Sequence, residues 1–203
     1  SSLSQHLEMK LVFATHNKNK IDEIKPLLPK KMELVSLEDL GCFTEIPETG
    51  DTLEANALIK ASFVKEHYGL DCFADDSGLE VDALGGAPGV YSARYAGVEK
   101  SAEKNINKLL SAMKKRERRE AQFRTVIVLL IQNKKFFFEG IVNGKILTQS
   151  KGNGGFGYDP IFQPEGYAKS FGELPATLKN KISHRARAVT KMLDYLHENQ
   201  AMI

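Results

Sequence analysis

Short apolar runs separated by polar, glycine-bearing connections set the pattern of this chain. Residues 11–14 are apolar, the polar stretch THNKNK follows, and Ile21, Ile24, Leu27 and Leu28 then fall near helical spacing. Strand, loop and helix are expected in that order, with Pro26 shortening or kinking the helix because it carries no amide proton. MELVSLEDL predicts a second short strand around residues 34–35. The clearest helix is ETGDTLEANALIKASFVKEHYG, with Leu53, Ala57, Leu58, Ala61 and Val64 on one face. Asp51 is its expected cap with Glu54 as capping-box partner, and Gly69 its stop. CFA predicts a further strand and the alternating LEVDAL another, with the chain turning at Ser77-Gly78 between them. SAEKNINKLLSAMKK predicts a helix on Ile106, Leu109, Leu110 and Met113. Two β-branched and aromatic runs then meet at Asn133-Lys134, the pattern of a hairpin. After the glycine-rich SKGNGGFGYDPIF, ISHRARAVTKMLDYLHEN predicts a last helix, capped by Ser183, with Ala186, Val189, Leu193 and Leu196 facing inward. Helices alternating with strands, and a hairpin among them, predict an α/β fold with a mixed sheet.

At 203 residues and 42% apolar, the chain suits one globular domain with room for two lobes and needs no disulfide or structural metal to hold its core. The opening SSLSQHLE has no Met and no signal-like apolar core. Residues 1–8 are expected to be a cloning scar, with Met9 the native start of a single domain over residues 9–203. A net charge of +2 gives no overall basic field for nucleic acid. The one dense basic run, Lys114, Lys115, Arg116, Arg118 and Arg119, reads as a solvated helix end, with an RNA contact as the minor alternative. Cys42 and Cys72 lie among apolar residues without a CxxC spacing, which suits reduced, buried thiols in a cytoplasmic protein. No apolar run is long enough to span a membrane.

Four stretches carry candidate chemistry. Asp75 and Asp76 end an apolar strand, where a carboxylate can hold Mg²⁺ through hard oxygen atoms; on the dipeptide alone, a solvated turn is the better account. THNKNK sets Thr15, Asn17 and Lys20 where a strand passes into a helix, a place that suits phosphate, although the glycine spacing of a P-loop is absent. GGFGYDP surrounds Phe156 with glycines that let backbone approach a flat ligand, and an aromatic there can stack on a base. ISHR places His184 and Arg185 in the first turn of a helix, where the dipole gives cations no support. Taken singly, each has an ordinary structural explanation: a polar loop, a bulge, a surface helix. Together they supply acids for a metal, lysines for phosphates, and an aromatic and donors for a base.

The blocks FATHNKNK, ETGDTLEANALIKA, ADDSGLEVDALGGAPGVYSARYAG, GGFGYDPIF and ELPATLKNKISHRARA, in that order, resemble the inosine triphosphate pyrophosphatase or Ham1-like family, and cover the chain from Lys10 to the final helix. The resemblance implies an elongated mixed sheet flanked by helices, two lobes with a central cleft, and a homodimer. It implies hydrolysis of ITP, dITP or XTP to the monophosphate and pyrophosphate with Mg²⁺, and no nucleic-acid or membrane partner. Thr15, His16, Asn17, Lys18, Asn19 and Lys20 match the phosphate loop. Glu48 and Asp76 match the metal-site acids, Asp76 also the proton acceptor. Lys60 and Ser77 match substrate contacts. Phe156, Gly157, Tyr158 and Asp159 match the base-binding loop, and Lys179, His184 and Arg185 the segment that closes it. His16 stands where the family often has Gly, Asn19 where a small residue is common, and Tyr158 where some relatives carry Trp.

Lys60 lies four residues after Asn56, so the two share a helix face, and Lys20, Lys60 and Lys179 are expected to stabilise phosphate charge. Hypoxanthine and xanthine carry an acceptor oxygen at purine position 6, where adenine carries an amino donor. His184 and Arg185 as donors would therefore discriminate against adenine. Two alternatives are a Maf-like pyrophosphatase acting on other nucleotides, opposed by ISHR and GGFGYDP, and a nucleotide-sensing module without turnover, opposed by Glu48, Asp76 and the lysines.

Overall fold

The computed structural model describes residues 9–199; the expected scar at residues 1–8 lies outside them. Six strands form one mixed sheet in the order β2-β1-β3-β4-β5-β6. They are β1 (Met9–Phe13), β2 (Met32–Val35), β3 (Cys72–Val81), β4 (Glu120–Ile131), β5 (Lys134–Ile146) and β6 (Phe162–Pro164). The helices are α1 (Lys18–Ile24), α2 (Leu53–Tyr68), α3 (Ala102–Ala112), α4 (Ala176–Ile182) and α5 (His184–Glu198). β1 pairs parallel with both β2 and β3, with Phe13 opposite Phe73, whereas β5 and β6 pair antiparallel. This is the expected α/β fold with a mixed sheet.

The described residues divide into two compact units, residues 9–76, 126–139 and 188–199 in the first and residues 77–125 and 140–187 in the second. In the first unit both faces of the strands are covered. Leu11, Phe13, Phe73, Ile127 and Leu129 point to one core with Ile24 of α1 and Val189 and Met192 of α5; Val12, Ala14, Cys72, Ala74 and Val128 point to another with Ala57, Ala61 and Val64 of α2. Burial on both faces is why these strands are continuous apolar runs. The Phe13 and Phe73 rings stack at 4.5 Å. Cys72 is fully buried, donates its thiol proton to the Ala61 carbonyl at 3.2 Å, and has its pKa pushed by burial up to about 12.

In the second unit one face carries the core: Leu79, Val81, Ala121, Phe123, Val142 and Ile146 pack with Ile106 and Leu109 of α3 and with Phe162 and Phe171. The alternate positions are polar, and Glu80 accepts from Gln122 at 2.7 Å and from Arg124 at 3.4 Å. One-sided burial gives the alternating pattern.

Several local expectations give way. Thr52, not Asp51, caps α2, its hydroxyl accepting from the Ala55 amide at 3.0 Å; the helix ends at Gly69 as expected. Ser77-Gly78 makes no turn, because β3 runs unbroken through it. A Cβ at Gly78 would lie 2.4 Å from the Gly89 carbonyl oxygen, so glycine here serves close backbone approach. The hairpin turn is Gln132-Asn133, one residue earlier than expected, and both have positive φ, as a type I′ turn requires. The basic run lies beyond the end of α3, where Arg119 donates to the carbonyls of Met113 and Ile146.

Candidate active site

In the first unit, Asp75 and Asp76 sit on β3, and neither is in a solvated turn: Asp75 is fully buried and Asp76 is 6% exposed. Two lysines make that burial tolerable. Lys20 of α1 reaches Asp75 Oδ1 at 3.1 Å. Lys60 of α2 donates to the Asp75 carbonyl oxygen at 2.5 Å and lies 3.3 Å from Glu48 Oε1. Lys60 shares its helix face with Asn56, as the four-residue spacing predicts, and the Asn56 side-chain oxygen accepts from the Gly50 amide at 2.7 Å, fixing the segment just after Glu48.

The electrostatics follow from this packing. Burial works against the Lys60 charge, but Asp75, Glu48 and Asp76 outweigh it and hold its pKa above the ordinary value. For Asp76, burial is the leading cause of a pKa raised to about 6; Lys60 and Lys20 pull it down, Glu48 and Asp75 push it up. A carboxylate in that range can accept a proton near neutral pH.

The phosphate-loop residues are held tightly by one another. Thr15 Oγ1 accepts from the Asn17 amide at 3.0 Å, and Asn17 caps α1 by accepting from the amides of Asn19 and Lys20. The Asn17 side chain thus occupies two amides at the start of α1, the place where phosphate is expected. His16 points elsewhere, bonding Glu38 Oε1 at 2.7 Å and the Thr44 carbonyl at 2.8 Å. Lys18 and Asn19 are exposed.

The second unit gathers the other candidates. Ser183 caps α5 by accepting from the Ala186 amide at 3.0 Å, and so sets His184 and Arg185 at the start of that helix. Both are buried. Arg185 Nη2 donates to Ser77 Oγ at 3.1 Å, and the Ser77 and Thr125 hydroxyls are 2.7 Å apart. Thr125 Oγ1 in turn bonds His184 Nδ1, whose ring stacks on Phe123 with centroids 4.8 Å apart. In the glycine-rich loop, Asp159 accepts from the Phe156 amide at 3.0 Å and from Lys179 Nζ of α4 at 2.5 Å. Gly155 has φ of +69°, and a Cβ there would fall 2.0 Å from Asp159 Oδ2, so this loop needs glycine. Lys179 Nζ lies 4.5 Å and the Arg185 guanidinium carbon 5.3 Å from the centre of the half-buried Phe156 ring. Gly157 lies next to it with positive φ. Lys179, expected as a third phosphate lysine, lies between Asp159 and Phe156. The Tyr158 side chain is packed in the core, its hydroxyl donating to the Ser92 carbonyl at 2.6 Å.

Thr125 went unnoticed in the sequence, and so did α4. The signal for Thr125 was present: Ala121, Phe123 and Thr125 share the inward phase of an alternating strand, and a hydroxyl there is a polar group in a core position.

Glu48, Asp75 and Asp76 are all oxygen donors, balanced by two lysines. Among the described residues, no three His, Cys, Asp or Glu side chains form a group that could hold a metal ion. Carboxylate oxygen, as Glu48 and Asp76 carry it, is the donor type that Mg²⁺ takes, and Mg²⁺ needs only one or two carboxylates because water and substrate phosphate complete its shell.

The Ham1 family model matches residues 11–195. The chain is 56% identical to the dITP/XTP pyrophosphatase of Flavobacterium johnsoniae over 93% of this chain and 98% of that one. It is 58% identical to the dITP/XTP pyrophosphatase of Christiangramia forsetii over 93% and 99% of the two chains. Among solved structures, the Ham1 protein of Staphylococcus aureus superposes with a TM-score of 0.86 at 38% identity, over 94% of this chain and 99% of that one. A HAM1 protein from Coxiella burnetii gives 0.87 at 35% identity, with the same coverage. A mixed sheet, a buried acid pair held by lysines, a glycine-rich aromatic loop and likeness along nearly the whole chain agree with the resemblance first drawn from the motifs: the chain belongs to the Ham1 family.

Proposed function

We propose that this protein hydrolyses the triphosphates of deaminated purines, dITP, ITP and XTP, to the monophosphate and pyrophosphate. The observation that carries this is Asp76, a buried carboxylate with a pKa near 6, placed among Lys20, Lys60 and Glu48. The names of the curated relatives, dITP/XTP pyrophosphatases, support the same substrates.

Asp76 orients the attacking water and accepts its proton at a carboxylate oxygen. Lys20 and Lys60 stabilise charge on the phosphate oxygens. Glu48 and Asp76 would hold Mg²⁺, which when bound neutralises the leaving pyrophosphate and acidifies water. Phe156 offers its ring to the base. His184 and Arg185 donate to the 6-oxo group, and adenine's amino group would leave these buried donors unmatched. Lys179 and Asp159 hold the loop that carries Phe156.

Family resemblance supports a homodimer, and the free, buried Cys42 and Cys72 support a cytoplasmic place. Among the described residues, no helix is long and apolar enough to cross a membrane. A single species near 22.6 kDa in sedimentation at micromolar concentration overturns the dimer.

The deciding experiment is phosphate release coupled to inorganic pyrophosphatase over a panel of nucleoside triphosphates. Rapid pyrophosphate release from dITP, ITP and XTP, with ATP far slower, is expected. Equal rates over the panel, or a preference for pyrimidines, overturn the substrate assignment, and binding without turnover overturns catalysis.

A further inference from the structure

Residues 46–51 belong to no helix or strand, yet they carry Glu48. Among the described residues, the Gly50 amide is the one backbone group of this segment with a hydrogen bond, and its acceptor is Asn56 Oδ1 at 2.7 Å. Asn56 stands on α2, fully buried, one turn before Lys60. Lys60 Nζ lies 3.3 Å from Glu48 Oε1. Two residues of one helix face therefore hold the segment, one at the Gly50 backbone and one at the Glu48 carboxylate.

The two holds are unequal. The Glu48 side chain is 31% exposed, and an ion pair so open to water fixes a side chain weakly. The bond to Gly50 is short, and its acceptor is shielded from water. It also suits only this pair of residues. A Cβ at Gly50 would lie 2.7 Å from Ala55 Cβ and 2.8 Å from Asn56 Oδ1, so glycine is what lets the segment lie against the helix.

The same contact orients the Asn56 amide. Turned over, it would set its NH₂ against the Gly50 N–H, donor against donor. With Oδ1 so placed, Nδ2 is buried and finds no hydrogen-bond acceptor among the described residues. A buried donor without a partner is unfavourable, and leucine, branched in the same way, would avoid it. Packing alone does not account for asparagine at this position; the oxygen that reaches Gly50 does.

We propose that Asn56 is a positioning residue for Glu48: it pins the Gly50 backbone to α2 and so keeps the Glu48 carboxylate beside Lys60, ready for Mg²⁺. It acts through the backbone rather than by touching metal or phosphate. Without it, Glu48 rides on a loose segment that must be ordered whenever metal and nucleotide bind. Metal affinity then falls while the chemical step is spared. The consequence for Mg²⁺ rests on the proposed function; the hold on Gly50 does not.

The test has two arms. In the first, NMR follows amide hydrogen exchange in metal-free, nucleotide-free protein, with the Gly50 signal identified by its loss in Gly50→Ala. The wild-type Gly50 amide should exchange about tenfold or more slower than an unprotected glycine amide. In Asn56→Leu it should reach the unprotected rate, while the Ala61 and Val64 amides within α2 stay slow. Asn56→Asp keeps an oxygen for the amide and should keep the protection. A wild-type Gly50 amide without protection, or one still protected in the Leu variant, overturns the proposal.

In the second arm, pyrophosphate release from ITP is titrated with Mg²⁺. Asn56→Leu should raise the Mg²⁺ concentration for half-maximal turnover about tenfold, as expected for a residue that supports a metal ligand. Its kcat at saturating Mg²⁺ should stay within about twofold of wild type. A Leu variant that loses turnover with its Mg²⁺ dependence unchanged marks Asn56 as merely structural and overturns the positioning role. If the Leu variant does not fold, Gly50→Ala breaks the same contact from the other side and should show the same Mg²⁺ shift; an unchanged Mg²⁺ dependence there overturns the proposal. Glu48→Gln judges the reading beneath. Unchanged Mg²⁺ dependence in that variant overturns Glu48 as a metal acid, while exchange at Gly50 judges the hold by Asn56 on its own.

Discussion

The Asp159 carboxylate and the Lys179 ammonium lie 2.5 Å apart, and neither residue is more than 5% exposed. The same carboxylate accepts from the Phe156 amide and the same ammonium lies over the Phe156 ring, so the pair sets the position of that ring. Removing one partner strands a buried charge. Lys179→Met or Asp159→Asn should each destabilise the protein by about 3–5 kcal/mol in urea unfolding. The double variant should recover much of that loss, and additive single effects would refute the coupling.

Asp76 should trade stability for turnover. Its raised pKa means that the unfolded chain gives up this proton more readily than the folded one. As pH rises from the ordinary value of 3.8 through about 6, the folded state therefore loses stability, and the deficit is complete above that range. In metal-free protein near pH 8, Asp76→Asn should raise unfolding stability by roughly 1–3 kcal/mol while lowering turnover by about two orders of magnitude or more. Near-normal turnover in the folded variant refutes the assignment.

The tether from His16 to Glu38 should work only within a window of pH. The Glu38 hydrogen bond is the main cause of the raised His16 pKa, so this contribution is full below the ordinary 6.5 and is lost as pH rises through the folded pKa above it. The bond from His16 likewise lowers the Glu38 pKa, and that contribution is full above 4.5 and is lost as pH falls through the folded pKa below it. A His16→Gln, Glu38→Gln double-mutant cycle should give coupling of about 0.2–1 kcal/mol at mildly acidic pH, as for exposed pairs, and none in alkali. Coupling that persists unchanged in alkali would contradict the ion-pair account.

Base selection should depend on the two donors at the start of α5. Arg185→Ala and His184→Ala should each reduce ITP transition-state binding by about 1–3 kcal/mol, lowering the ITP/ATP ratio of kcat/KM. If both substrates suffer equally and the ratio holds, these residues serve phosphate or structure.

Metal dependence should appear with nucleotide present. Excess EDTA should abolish turnover and added Mg²⁺ restore it, whereas Mg²⁺ alone should barely move the unfolding midpoint, since two or three carboxylates without phosphate make a weak site. Full activity in EDTA refutes the metal.

How much of this could be seen in the sequence depended on the range of the interaction. Periodicity gave α2, α3 and α5 because each buries a stripe of side chains at helical spacing. It gave β1 and the β4–β5 hairpin because their apolar positions report which faces are covered. Asp75 was the hard case. On the dipeptide alone it suggests solvent, since the compensating charge on Lys20 is 55 residues away. Ser77-Gly78 suggested a turn for a similar reason: the partner that requires glycine, the Gly89 backbone, belongs to a different segment. The residues of the glycine-rich loop were evident, but not their engagement, for Tyr158 is bonded to Ser92 and Lys179 to Asp159.

Cys72, buried with its thiol pKa near 12, has one more consequence. Alkylating reagents attack thiolate, of which Cys72 holds almost none at neutral pH. Its modification must therefore wait for β3 to leave the Ala61 carbonyl. In a Cys42→Ala background, the rate of labelling at Cys72 becomes a clock for opening of the first unit. Slowing of that clock by bound nucleotide would report, with no turnover at all, how far ligand protects the strand that carries Asp76.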